Sequence, residues 1–153
     1  MTRMTKTLLL SAALALAAPA VIAADWEGPY VGAYGATVNG NSFAFGGQAG
    51  YMYDLGNGAF VGGEIDVLFP NTGVDYVAAG TLRFAYEVMP DALIYGQGGV
   101  ARASNSTNWW LVGAGAQYAF TDELSLRAGV DRYETFGGGT SNWVAKAGLV
   151  YGF

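Results

Sequence analysis

The chain has 153 residues with 24 Gly, no Cys, no His, and 52% hydrophobic against 12% charged residues. The missing Cys removes a disulfide framework and a lipid-attachment thiol. The missing His removes the usual general base and, with the missing Cys, the commonest transition-metal ligands, which argues against an acyl-transfer site.

Residues 1–24 read as a secretory leader. Arg3 and Lys6 make a basic start, Leu8 to Ala18 an apolar run, and Pro19 to Ala24 a small-residue exit with cleavage expected after Ala23 or Ala24. The apolar run is shorter than the roughly 20 residues a spanning helix needs. The remaining domain, 25–153, carries 5 basic and 12 acidic residues, a net charge of −7. Its cations are scattered, which argues against a partner whose phosphates must be tracked, so no nucleic acid is expected.

From there the pattern is alternation with period two. Strands are expected at about 29–38, 43–54, 59–69, 74–88, 92–103, 107–120, 123–135 and 142–153. The connections Asp54–Gly58, Met89–Asp91 and Thr121–Asp122 are tight turns. Those at Asn39–Ser42, Pro70–Gly73, Ser104–Ser106 and Gly137–Ser141 are loops of Gly, Pro, Asn, Asp, Ser and Thr. None is long enough for a parallel crossover, so the order is antiparallel and up-and-down.

Most strands divide cleanly into two faces. Phe43, Phe45, Ala49, Tyr51 and Tyr53 oppose Gly46, Gln48 and Gly50; Val61, Ile65, Val67 and Phe69 oppose Gly62, Glu64 and Asp66. Leu82, Phe84 and Tyr86 oppose Thr81, Arg83 and Glu87. Leu124, Leu126, Ala128 and Val130 oppose Ser125, Arg127, Gly129 and Asp131. In the last strand Trp143, Ala145, Ala147, Leu149, Tyr151 and Phe153 oppose Asn142, Lys146, Gly148 and Gly152. The first and fifth strands are Gly-rich and take no assigned face.

Aromatic-x-aromatic triplets close every second strand: Tyr51/Tyr53, Phe84/Tyr86, Tyr118/Phe120 and Tyr151/Phe153, spaced by 33, 34 and 33 residues. At the opposite ends Phe43, Phe45, Phe69, Tyr76, Trp110 and Trp143 supply a second ring. Two aromatic girdles around an apolar band, with ions on the inner face, is the arrangement lipid demands. The expected fold is all-β: an eight-stranded antiparallel up-and-down transmembrane β-barrel. A soluble ligand-binding barrel would have the reverse alternation. A helical or propeller repeat of similar period is disfavoured by the Gly content and the lack of a helical period.

An eight-stranded interior is only wide enough for its own side chains. Gln48, Glu64, Asp66, Arg83, Glu87, Gln117, Arg127, Asp131 and Lys146 are expected to fill it as a network of both signs. Symmetric hairpins would place Gln48 opposite Glu64 across Gly56, and Asp131 opposite Lys146 across Gly137–Ser141. Glu64 and Asp66 could imitate a catalytic dyad or a hard-cation site, but a filled lumen has no room for a sugar, and a salt-bridge cluster is preferred. Gly96/Gly98/Gly99 and Gly113/Gly115 lie inside strands with no helix following, unlike a nucleotide loop, and relieve crowding instead. Asn105-Ser106-Thr107, formally a glycosylation sequon, reads as a polar loop tip. No catalytic residue, cofactor or metal is expected.

The closing run Lys146-Ala147-Gly148-Leu149-Val150-Tyr151-Gly152-Phe153 resembles the assembly signal of bacterial outer-membrane proteins, matched at Lys146, Gly148, Tyr151 and Phe153. The opening Trp26-x-Gly28-x-Tyr30-x-Gly32, with Gly46-Gly47-Gln48-Ala49-Gly50-Tyr51 and Gly62-Gly63-Glu64-Ile65-Asp66, is similar to the small porin-like outer-membrane barrels of alphaproteobacteria. These are relatives in architecture of the OmpA transmembrane domain and the opacity proteins. The resemblance covers 25–153 and implies insertion by the barrel-assembly machinery, outer-membrane lipid around the wall, and periplasmic turns at the triplet ends. It also implies a role in envelope integrity or surface interaction. Members that act as adhesins carry long surface loops, whereas the four loops here have about four or five residues each, which puts adhesion in doubt. The expected function is a non-enzymatic outer-membrane barrel with a side-chain-filled lumen; the alternative is a narrow porin for passive diffusion of small solutes.

Overall fold

The computed structural model describes residues 25–153 except Thr72; the leader expected over 1–24 lies outside the described residues. Eight strands follow one another: β1 (Gly28–Val38), β2 (Ser42–Gly56), β3 (Ala59–Pro70), β4 (Val77–Met89), β5 (Ala92–Ala103), β6 (Asn108–Ala119), β7 (Leu124–Thr135) and β8 (Ser141–Gly152). Each pairs antiparallel with the next, and β8 returns to β1 with Tyr30 opposite Gly152 and Val38 opposite Val144, so the sheet closes into a barrel. Closure satisfies the edge hydrogen bonds that an open sheet would leave free.

Short connections hold this order. Between β1 and β2, Asn39 and Gly40 both take positive φ, 53° and 71°, the left-handed pair that a tight hairpin requires. Asn39 also accepts from the Trp143 backbone N–H at 2.9 Å, tying the first loop to β8 across the seam. The fourth strand starts later than its alternation suggested. Val74, Asp75 and Tyr76 belong to the loop, because the β3–β4 ladder ends at Leu68 opposite Val77, and Pro70 beyond it has no N–H to offer another rung.

Two expected cross-strand pairings are shifted. Gln48 lies opposite Asp66, and Glu64 opposite Gly50. An irregularity between Asp54 and Gly56 displaces the hairpin centre by one residue, which moves every partner by two. Asp131 likewise lies opposite Val144, and Lys146 opposite Gly129, because Glu134 pairs with Ser141 and the turn is tighter than a symmetric one about Gly137–Ser141.

The outward face is apolar. Ile65 and Leu82, near the middle of the wall, are each 67% exposed, and Phe43, Phe45, Phe84, Tyr53 and Trp143 also stand clear of the interior. So large a continuous apolar surface is not what water tolerates on a soluble monomer. Inside, the side chains form layers. Tyr34, Leu68, Leu111, Tyr133 and Val144 pack together toward the loop end. Tyr30, Met52, Phe60, Leu93, Tyr95 and Val150 pack toward the turn end, with Trp26 against them. The buried polar residues lie between these two layers.

Candidate functional site

The strand alternation that sends Ile65 and Leu82 outward sends Glu64, Asp66 and Arg83 inward, and the two halves of the barrel are narrow enough for their side chains to meet. Glu64 on β3 is the hub. Its carboxylate accepts from Arg127 Nη1 on β7 at 2.6 Å, from Arg83 Nη2 on β4 at 3.0 Å and from the Tyr30 hydroxyl on β1 at 2.7 Å. β3 and β7 are four strands apart, so the Glu64–Arg127 pair spans the lumen from wall to wall.

The chain of bonds continues in both directions. Arg83 donates to Gln97 Oε1 at 2.6 Å, and Gln97 donates to Asp131 at 2.8 Å. Asp131 pairs with Lys146 at 3.1 Å, and Lys146 donates to Asp66 at 2.8 Å, whose other oxygen accepts from the Tyr34 hydroxyl. On the other side Arg127 Nε donates to Gln117 at 3.0 Å, and Gln117 donates to Ser125 at 2.7 Å. Arg83, Arg127 and Lys146 thus meet Glu64, Asp66 and Asp131, and the buried charges cancel. A charge held this far from water is tolerated only when paired and hydrogen-bonded, which this arrangement achieves for all six.

Aromatic rings brace the cations. The Arg83 guanidinium sits 4.2 Å from the centre of the Tyr95 ring, Arg127 lies 5.0 Å from Tyr30, and Lys146 Nζ lies 4.8 Å from Tyr34. These rings need space on the neighbouring strands, and glycine supplies it. Tyr30 is flanked by Gly50 and Gly152, and Tyr34 by Gly46 and Gly148. A Cβ at Gly50 would come 2.5 Å from both the Tyr30 hydroxyl and the Gly63 carbonyl, so no other residue fits without displacement. Asp131 beside Gly113 and Tyr95 beside Gly115 follow the same rule.

Of the nine inward residues expected from sequence, seven join this network. Gln48 is buried beside Gly32, in space that a Cβ there would occupy, and lies outside the chain of bonds. Glu87 is half-buried at the turn-end rim of β4, next to an irregularity between Glu87 and Met89, and its side chain bonds to none of the described residues. Sequence reasoning missed Gln97, Tyr30, Tyr34 and Tyr95, all on the two strands whose faces were left open, and missed Ser125 as a network member. The signal that could have placed them is closure: once β8 is fixed, β1 must alternate in step with it, which turns Tyr30 and Tyr34 inward.

Of the proposed aromatic girdle, Tyr51, Tyr53, Phe84, Tyr86, Tyr151 and Phe153 are exposed on the outer wall. Tyr118 and Phe120 are half-buried against each other, edge to face at 5.6 Å, and Tyr151 and Phe153 make the same contact at 5.2 Å. Lys146 and Gly148 of the closing motif face inward, and Phe153 N–H donates to the Pro29 carbonyl at 3.0 Å.

Between the apolar layers the free space is small. The cavity bordered by Glu64, Arg83, Gln97, Arg127 and Lys146 has a volume of about 10 Å³, at the lower limit for one water molecule. The polar groups of the network serve one another, while Arg83 Nε and Thr81 Oγ1 are buried without a hydrogen-bond partner among the described residues. Chemically the site is an internal strut that links opposite walls.

A closed antiparallel eight-strand wall with an oily exterior and an ion-paired interior defines the transmembrane β-barrel class. The chain is similar in fold to the N-terminal β-barrel domain of Pseudomonas aeruginosa OprF, at 18% identity and a TM-score of 0.67 over 83% of this chain and 98% of that one. It is similar to Ail, the attachment invasion locus protein of Yersinia pestis, at 16% identity and a TM-score of 0.58 over 83% of this chain and 99% of that one. A de novo designed transmembrane β-barrel matches at 17% identity and a TM-score of 0.66 over 86% of this chain and 100% of that one. No protein-family model matches the sequence. No curated protein matches it either.

Proposed function

We propose that the protein is a non-enzymatic barrel of the outer membrane, exported with cleavage of its leader, whose filled lumen makes it a structural element of the envelope or the bearer of a modest surface contact. The carrying observation is the charge-neutral strut sealed between two apolar layers. It pairs Arg83, Arg127 and Lys146 with Glu64, Asp66 and Asp131, which accounts for these buried charges without a substrate. The apolar wall fits outer-membrane lipid, and the Tyr151/Phe153 end fits a signal for the barrel-assembly machinery, with Lys146 and Gly148 as its inward positions. A designed barrel shares the fold, so the fold by itself selects no activity.

The test is planar-bilayer conductance of the purified full chain. A filled lumen gives no steady, reproducible unitary events across a wide voltage range. Discrete channels of constant size would overturn it in favour of a narrow porin.

A further inference from the structure

The two ends of the lumen finish differently. At the turn end Trp26 packs over the layer containing Tyr30, Met52 and Val150. Only about 30 Å³ of cavity remains there, and its border includes the acids Asp25, Glu27, Asp122 and Glu123. At the loop end Val38, Val77 and Trp109 pack against the layer from the wall and leave a cup among them. Above Tyr133 and Val144 lies an open cup of about 110 Å³, walled by Leu68, Val77, Ala103 and Trp109. No charged side chain among the described residues borders it. Apolar wall facing water costs about 25 cal/mol per Å² relative to a covered one, so an apolar occupant is favoured there.

The rim has a defined polarity. Asn39 Oδ1 accepts from the Trp143 backbone N–H, which fixes that amide and makes its Nδ2 donate to Asn142 Oδ1 at 2.8 Å. Asn105 Oδ1 accepts from the Thr107 backbone N–H at 3.1 Å. Both rim amides that border the cup, Asn105 and Asn142, therefore have their oxygens engaged and their NH₂ groups left to donate.

We propose that this cup is a binding site for a small uncharged molecule, apolar over most of its surface and carrying one hydrogen-bond-accepting oxygen, which enters from the loop end. An enclosed apolar cavity of about 150 Å³ takes benzene, so an open one of 110 Å³ suits a single ring or a chain of about six carbons with its oxygen at the rim. A bilayer lipid is excluded as occupant, because the strand wall separates the cup from the outer surface. The floor beneath is the closed loop-end layer, so binding here requires no conduction through the lumen.

The test uses the full chain in lipid nanodiscs titrated with 4-fluoroacetophenone, a ring with one carbonyl, followed by ¹⁹F NMR. Partition into lipid is linear in concentration; the cup adds a saturable component. Val144→Trp fills the cup and is expected to abolish the saturable component while leaving the linear one. Ala103→Phe fills it from the neighbouring wall and serves if Val144→Trp does not fold, with heat-modifiable gel migration reporting folding of each. Asn105→Leu with Asn142→Leu is expected to weaken binding roughly 2- to 12-fold per lost hydrogen bond. A purely linear response in the parent protein, or a saturable component that survives a folded cup-filling variant, overturns the proposal.

Discussion

Glu64→Gln is the most informative perturbation of the lumen. The amide keeps the size of the side chain and one accepting oxygen, but it removes the anion that pairs both Arg127 and Arg83 among the described residues. Arg83 is 2% exposed and Arg127 6%, so neither guanidinium can turn to water for compensation. The lumen changes from neutral to a net charge of one cation. Removing one partner of a buried ion pair costs about 3–5 kcal/mol. With a urea slope of about 2 kcal/mol/M, the unfolding midpoint should fall by about 1.5–2.5 M. The assay is urea unfolding of the full chain refolded into short-chain lipid vesicles, read by Trp fluorescence and by gel mobility. Adding Arg83→Met to Glu64→Gln restores neutrality, and that double variant should be more stable than Glu64→Gln alone, a sign reversal expected only if the two charges are coupled. A Glu64→Gln midpoint equal to the parent's, or a double variant weaker than the single, would mean that Glu64 does not hold the two guanidinium charges in the lumen.

Lys146→Met strands both Asp66 and Asp131, two anions that then face each other unpaired, and should lower the same unfolding midpoint by a comparable amount. Gly50→Ala pushes a methyl into Tyr30 and the Gly63 carbonyl and should cost about 1–3 kcal/mol, whereas Gly80→Ala, which meets nothing within 4 Å, should leave the midpoint unchanged. Leu82→Arg places a cation at mid-wall on the outer face and should cost about 2–4 kcal/mol in a bilayer, with the loss shrinking for the same change at Val88 near the rim. Equal costs at Leu82 and Val88 would contradict a wall whose middle lies deeper in lipid than its rim.

Alternation was legible wherever both faces carried side chains of contrasting character. β3 shows this best: Ile65 and Val67 against Glu64 and Asp66 leave one reading, and the structure follows it. β1 and β5 were illegible because glycine and alanine dominate both faces, and their three inward tyrosines look like girdle residues until closure fixes the phase. Strand pairing was legible but register was not. Register depends on whether a hairpin carries an extra residue, as at Asp54/Gly56, and that is a matter of local backbone geometry rather than of polarity. Hence Lys146 and Asp131 could be matched by charge, while their diagonal rather than direct juxtaposition could not. The apolar layers that cap the network were also hidden, since Met52, Leu93, Leu111 and Val150 break the polar-inward rule at the strand ends. An inner wall polar only at its middle follows from geometry, because water reaches the two mouths and the layers beneath them must exclude it.

Because the chain has no Cys, the lipid exposure of its outer wall can be measured at a single introduced thiol. A single Cys at Leu82, on the outer wall where the side chain is 67% exposed, can carry a small fluorophore without touching the lumen. In reconstituted vesicles this label should be quenched strongly by nitroxides on lipid acyl chains and hardly at all by aqueous iodide, with progressively more iodide quenching for labels moved to Phe43 or Tyr86. Ready quenching of the Leu82 label by iodide, with no response to the lipid nitroxide, would contradict a barrel that turns its apolar face to lipid and keeps its ions within.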